Sequence, residues 1–199
     1  MCALVDSWLS GLKKAPLLYS ARLLLRPLCV GDVAHIQSSV NDERVCLNLA
    51  YTPHPYTVEM AENWTRNVNY GMGNGSCCYW AVCDSKVGTF IGTMGLSLNA
   101  EQEGCEIHYW INADHWNKGY CTEAAKRTVT HVFEDLHMHR LYVTHREGNI
   151  ASKTVIKKCG FISEGIIRES LKRFGKFENV VAYSILRDEY LAMKEKGIY

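Results

Sequence analysis

Between Ser76 and Leu136 the hydrophobic pattern changes its period once, and that change limits what the chain can fold into. Three β-type runs, Ser76 to Cys83, Thr89 to Leu98 and Cys105 to Asn112, follow one another across the hairpin-like connections "DSKVG" and "NAEQEG". They read as an antiparallel meander. Beyond Gly119 the apolar positions Ala125, Val129, Val132, Phe133 and Leu136 fall on one face of a helix. The order strand, short loop, helix is the one a phosphate site needs. A helix N-terminus presents unpaired backbone N–H groups and the positive end of the helix dipole, so main-chain atoms alone hold a pyrophosphate. In the loop "HWNKGYCTEA", Gly119 permits close backbone approach, Cys121 is small, Lys118 adds a charge and Thr122 offers a hydroxyl. Taken alone the loop is equally consistent with a glycine that merely eases a turn into a helix.

The rest of the chain supplies further elements in sequence order. Arg22 to Leu28 is a strand candidate, and helical patterns cover Asp32 to Val40 and Thr57 to Tyr70. Between them "NDERVCLNLAYTPHPY" is an irregular segment rich in turn formers. The stretch "YGMGNG" imitates a dinucleotide fingerprint, but it precedes a strand and opens no helix, so it reads as a loop. Arg140 to His145 is a strand, and Asn149 to Cys159 a helix that Gly160 closes in a left-handed cap. Two strands, Ile162 to Leu171 and Val180 to Leu186, flank the loop "KRFGKFEN". Before all of this, Leu4, Val5, Trp8, Leu9 and Leu12 form one helical face ahead of Pro16. Residues 1–19 therefore read as a helical extension and residues 20–199 as the main domain.

The chain's 199 residues suit one such domain with its own core. With 22 basic and 21 acidic residues, the charge balance recruits neither nucleic acid nor an anionic membrane. Nine scattered cysteines contain no C-x-x-C and suggest neither a disulfide framework nor a zinc ribbon, so a reducing, cytoplasmic location is the expectation. His131, His145 and the histidines of "HMHR" lack nearby ligands at characteristic spacing, and no metal is expected.

Several pieces taken together resemble the GNAT acetyltransferase superfamily: "RLLLRPL", "GTMGL", "EIHYWI", "HWNKGYCTEA", "NIASKTVIKKCGF" and "VVAYSIL". The resemblance runs from about Arg22 to about Tyr190 and is closest to the branch of the RimJ/RimL-type ribosomal-protein N-terminal acetyltransferases. It implies a single α/β (α+β) GNAT-type domain with a mixed, mostly antiparallel sheet of six to seven strands flanked by helices. It also implies acetyl-CoA as co-substrate. The loop matching Asn117, Lys118, Gly119, Tyr120, Cys121 and Thr122 would grip its pyrophosphate, and the strand matching Tyr109, Trp110 and Ile111 would pair with its pantetheine arm. Asn149 matches a residue that contacts that arm, and Ser152 one that lies near the cofactor. Cys121 departs from the Gly or Ala usual at the end of the loop, and Asn179 stands where the family pattern has Asp.

Acetyl transfer from a thioester to an amine needs an uncharged amine, a stabilised oxyanion and a leaving thiolate. Glu106 and His108 alternate onto one strand face and are the candidate bases, or else an ordinary polar pair on a partly solvated face; relatives mostly have Gly at the position of His108. A backbone N–H near Trp110 or Ile111 is the candidate oxyanion donor. Asn149 or Ser152 would serve the thiolate, although Asn149 is equally a helix N-cap answered by Ser152. Lys153 and Lys157 are within plausible reach of a CoA phosphate or are simply solvated.

The expected acceptor walls, "NDERVCLNLAYTPHPY" and "RESLKRFGKFEN", mix acidic Asp42, Glu43, Glu169 and Glu178 with basic Lys172, Arg173 and Lys176. The acceptor expected from the resemblance is a protein or peptide N-terminal α-amine. A small amine such as a polyamine, amino sugar or amino acid is the alternative enzyme reading, and a non-catalytic acyl-CoA-binding module the alternative outside enzymes. A monomer and a homodimer both remain open.

Overall fold

The computed structural model describes residues 15–50 and 52–199. The amphipathic helix expected over residues 3–14 lies outside the described residues. Among the described residues eight strands form one sheet in the order β1-β2-β3-β4-β5-β6-β8-β7. The strands are β1 Leu18–Tyr19, β2 Leu23–Pro27, β3 Cys77–Asp84, β4 Phe90–Asn99, β5 Gly104–Ile111, β6 Arg140–Arg146, β7 Ile162–Arg173 and β8 Lys176–Leu186. The strand missing from the expected six to seven is β1, whose two residues are too few to show a period. It pairs Leu18 with Leu25, so residues assigned above to the extension are part of the sheet.

Every neighbouring pair runs antiparallel except β5 and β6. Helices α1 Val33–Val40, α2 Glu43–Cys46 and α3 Val58–Asn74 lead into β3, α4 Tyr120–Thr130 and α5 Ile150–Lys158 flank β6, and α6 Arg187–Glu195 ends the chain. Strand alternation sends Trp80 and Met94 toward α4 and Tyr79 toward α3, where Trp64 meets it edge-on at 5.5 Å. Trp80 is fully buried, its indole edge-on to His131 and its Nε1–H donating to the Pro16 carbonyl at 2.7 Å. The core on this side joins Leu23, Leu25, Met94, Val129, Phe133 and Leu141. Each such aliphatic side chain contributes roughly 1.5–3 kcal/mol when fully buried.

Three readings are corrected. "YGMGNG" is not a loop: its residues through Asn74 are the last turns of α3, closed by Gly75 at φ 78°. The segment "KRFGKFEN" is almost wholly strand, β7 and β8 continuing to an Arg173–Lys176 pair around the turn at Phe174 and Gly175. The irregular segment after α1 contains the short helix α2, which Asp42 caps by accepting from the Arg44 N–H.

Candidate active site

The parallel partnership of β5 and β6 covers three residue pairs and ends at Glu106–Tyr142. Beyond it β5 continues to Ile111 along β4, while β6 continues to Arg146 along β8. The two strands part, and a cleft of about 980 Å³ opens between them, lined from both faces of the sheet. Trp64, Tyr79 and His108 line it on one face, and Cys121, Ser152 and Val155 on the other.

The hydrogen-bond alternation of β5 determines which backbone groups face the gap. Asn112 N–H donates to the Ile91 carbonyl, so Trp110 and His108 share the hydrogen-bonded pairs with β4. The polar groups of Tyr109 and Ile111 therefore point away from β4, into the gap. Of these, the Ile111 carbonyl is taken by the Trp116 indole N–H at 2.7 Å, which leaves its N–H facing the cleft. Of the two backbone N–H groups expected as oxyanion donors, that of Ile111 faces the gap, whereas that of Trp110 faces β4.

At the head of α4, Gly119 is the N-cap residue at φ 80° and makes no side-chain cap. The first intrahelical bond is Glu123 N–H to the Gly119 carbonyl at 3.0 Å, so the N–H groups of Tyr120, Cys121 and Thr122 have no partner inside the helix. These groups fit a pyrophosphate, and the one neighbour that a Cβ on Gly119 would approach is the Arg22 side chain. The loop is braced from behind. Arg22 pairs with Glu123 at 2.7 Å, donates to the Lys118 carbonyl at 3.0 Å and lies over the Tyr120 ring. Burial alone would push Glu123 up, but the Ser20 hydroxyl and both Arg22 donors hold its carboxyl below the ordinary value. Asn117 takes φ 59°, and Lys118 folds its ammonium onto the Asp114 carbonyl at 2.9 Å. Burial pushes the Cys121 thiol well up, so it stays neutral and adds no negative charge beside the phosphate path. On α5 the lysine that lines the cleft is Lys158, rather than Lys153 or Lys157.

On the opposite face Glu106 and His108 stand together as alternation requires, with 3.9 Å between Glu106 Oε2 and His108 Nε2. Thr144 of β6 donates to Glu106 Oε1 at 3.3 Å, and Ser97 of β4 meets His108 Nε2 at 2.9 Å. Gly95 makes room for the Tyr79 ring, which stacks on His108 at 6.3 Å; a Cβ at Gly95 would enter that ring. Burial pushes the His108 imidazole down, partly offset by Glu106, so it is neutral at neutral pH.

Asn149 is the N-cap of α5, accepting from the Ser152 N–H at 3.0 Å. The reciprocal half of the expected capping box is missing, because the Ser152 hydroxyl instead meets the Tyr109 hydroxyl at 2.9 Å. Burial pushes the Tyr109 phenol well up, so it keeps its proton. Sequence reasoning gave Tyr109 a backbone role alone. Its side chain lies on the face opposite Glu106, and the period of two along β5 was the signal.

His145 is 5% exposed, its Nδ1–H donating to the Arg146 carbonyl at 2.6 Å; burial holds it neutral, and its Nε2 has no hydrogen-bond partner. Among the described residues no group of three or more His, Cys, Asp or Glu side chains is placed to hold a metal ion. No helix among them is long and apolar enough to cross a membrane. Asn179 uses both ends of its amide, donating to Glu147 at 2.9 Å and accepting from the Glu169 N–H at 2.9 Å. An Asp there would set two carboxylates against each other.

Residues 22–162 match the family model described as "Acetyltransferase (GNAT) domain". An uncharacterized N-acetyltransferase, p20 of Bacillus licheniformis, is 26% identical over 87% of this chain and 97% of its own. A putative ribosomal N-acetyltransferase, YdaF of Bacillus subtilis, is 33% identical over 52% of this chain and 57% of its own. Among solved structures, spermidine N-acetyltransferase from Vibrio cholerae in complex with CoA and spermine superposes with a TM-score of 0.76 at 23% identity, covering 86% of this chain and 99% of that one.

Proposed function

The chain belongs to the GNAT acetyltransferase family and is an acetyl-CoA-dependent N-acetyltransferase, and from that premise we propose that its acceptor is the terminal α-amine of a protein or peptide. The observation that carries this is the make-up of the acceptor half of the cleft. Among the described residues Glu106 is the one carboxylate that lines it, and its surroundings include the aromatic Trp64, Tyr79 and Trp110 with neutral Asn48, Leu49 and Thr52. One carboxylate in an aromatic setting suits one ammonium group. A polyamine brings further ammonium groups, each of which needs its own partner when desolvated. The similarity to a putative ribosomal N-acetyltransferase favours the same reading, while the structural likeness to a spermidine enzyme supports the fold alone.

In this reading the pyrophosphate of acetyl-CoA rests on the free N–H groups following Gly119, with Asn117 and Lys118 shaping the loop. The pantetheine arm pairs with the backbone of Tyr109 in the gap, passing Asn149. Its thioester then lies between the two faces. Glu106 accepts the proton of the amine, directly or through a water, with neutral His108 beside it as the second base. The amine nitrogen attacks the thioester carbonyl, the oxyanion is met by the Ile111 N–H, and collapse breaks the C–S bond. The sulfur, of pKa about 8.5 as the free thiol, leaves as thiolate against a hydrogen bond from the Ser152–Tyr109 hydroxyl pair and takes up the second proton of the attacking nitrogen.

Thiol release from acetyl-CoA tests the assignment with three acceptors: a lysine-free peptide with a free α-amine, the same peptide blocked at its N-terminus but carrying a lysine, and spermidine. The first should give the highest kcat/KM. Higher kcat/KM with spermidine would transfer the acceptor to the small-amine class. Tight acetyl-CoA binding without thiol release in any arm would favour a binding module.

A further inference from the structure

The two segments expected to wall the acceptor site are far apart in sequence and are tied together by arginine hydrogen bonds. Arg173, at the end of β7 and 7% exposed, donates Nη1–H to the Leu47 carbonyl at 3.0 Å and Nη2–H to the Cys46 carbonyl at 3.1 Å. Arg146, at the end of β6, donates to the same Leu47 carbonyl at 3.0 Å and with its other terminal nitrogen to Glu178 of β8 at 2.9 Å. The Phe174 ring lies against the Arg173 guanidinium, 4.8 Å from its centre. Three charged donors thus converge on two carbonyls where α2 ends. Immediately beyond, Asn48, Leu49, Ala50, Thr52 and Pro53 line the cleft that Glu106 and His108 also line. Hydrogen bonds from charged donors are the stronger kind, and the rigid planar fork of arginine fixes direction in a way a lysine cannot.

We propose that Arg146 and Arg173 are positioning residues that hold residues 46–50 as a wall of the acceptor site, so that recognition of the amine depends on them and recognition of acetyl-CoA does not. This rests on the acceptor half of the cleft being where the amine binds. The acetyl-CoA loop has its own brace in Arg22 and Glu123, so the two halves of the site are held by separate arginines. Without the clamp the wall must be ordered by each incoming amine, and that cost appears as weaker acceptor binding.

The test compares wild type with Arg173→Met, Arg173→Lys and Arg146→Lys, using the lysine-free α-amine peptide in steady state and acetyl-CoA in calorimetry. Arg173→Met should raise the peptide KM by about tenfold while acetyl-CoA Kd stays within about twofold. Arg173→Lys should fall between, because one ammonium reaches one carbonyl but cannot span both. Arg146 is partly exposed, so Arg146→Lys carries the same prediction at a smaller size should Arg173→Met fail to fold. Folded variants with unchanged peptide KM, or with acetyl-CoA Kd rising in parallel, would overturn the proposal. A wild type that neither binds acetyl-CoA nor releases thiol would instead overturn the acetyltransferase reading beneath it, and shows itself before any variant is made.

Discussion

Glu106 is held by neighbours from two other strands and from its own: Thr144 on one oxygen, His108 beside the other, and Ser97 steadying that histidine. An α-amine of pKa about 8 is mostly protonated at neutral pH, so a base has work to do there. Glu106→Gln should cut kcat/KM by about a hundredfold or more at neutral pH and recover part of that at alkaline pH, where free amine is abundant. His108→Gly should retain most activity, because an imidazole that burial keeps neutral is the second of two bases. The pH–rate profiles of both variants decide it: a fully active Glu106→Gln with an inactive His108→Gly moves the base to His108. That both side chains share a face was legible in the period of two along β5. The partners that tune them were not, since Thr144 and Ser97 reach the site only through strand pairing. The same limit hid the Tyr109 hydroxyl, which meets Ser152 across 43 positions of sequence, and the reason for Asn179, whose amide answers Glu169 of β7 and Glu147 in the turn after β6.

Helix α5 separates capping from chemistry within one turn. The cap is the Asn149 side chain on the backbone N–H of Ser152, and the Ser152 hydroxyl is spent on Tyr109 instead. Asn149→Ala should therefore cost about 1 kcal/mol of stability. Ser152→Ala keeps the cap, so its melting temperature should barely move while kcat falls by roughly tenfold. Thermal melts and turnover on both variants check this, and a Ser152→Ala protein that melts early at full turnover would return the residue to a structural role. Most elements were readable because each buries a local stripe. α3 was cut short because its last residues, "YGMGN", look like a loop, each interior Gly costing about 1 kcal/mol in helix propensity. Tertiary packing decides against the propensity, since Gly71 is buried and a Cβ on it would lie 2.6 Å from Cys77 Sγ on β3. α6 went unassigned for the opposite reason. Its one buried anchor, Tyr190, stacks on Phe133 at 4.8 Å and sits in a run of charge that shows no stripe.

The cleft belongs to the whole molecule, for it exists where β5 keeps β4 and β6 keeps β8 after only three shared pairs. No local pattern encodes where two strands part, so periodicity alone does not locate the gap. Folding also buries His131 and His145 as neutral imidazoles, pushed by burial below the ordinary 6.5, with Asp135 partly opposing this at His131 and Lys153 reinforcing it at His145. The unfolded chain then binds more protons than the native one as pH falls through about 6.5, and stability drops in that window. Asp32 and Glu123 act lower down. Burial opposes them, but Arg26 and Arg22 hold their carboxyls below the ordinary 3.8 and 4.5, so their contribution is present above those values and lost below. Calorimetric melts should fall in two stages on acidification, the first setting in as pH drops below about 6.5; a flat first stage would mean that these histidines titrate alike in both states. Whether the backbone after Gly119 holds acetyl-CoA is measured by calorimetry of acetyl-CoA with wild type, Gly119→Asn and Gly119→Asp. Asn and Asp both tolerate the left-handed backbone at φ 80°, so both variants should fold. Affinity should fall modestly for Asn and on the order of a hundredfold for Asp, whose charge opposes the pyrophosphate; a folded Gly119→Asp protein with wild-type affinity would place the pyrophosphate elsewhere.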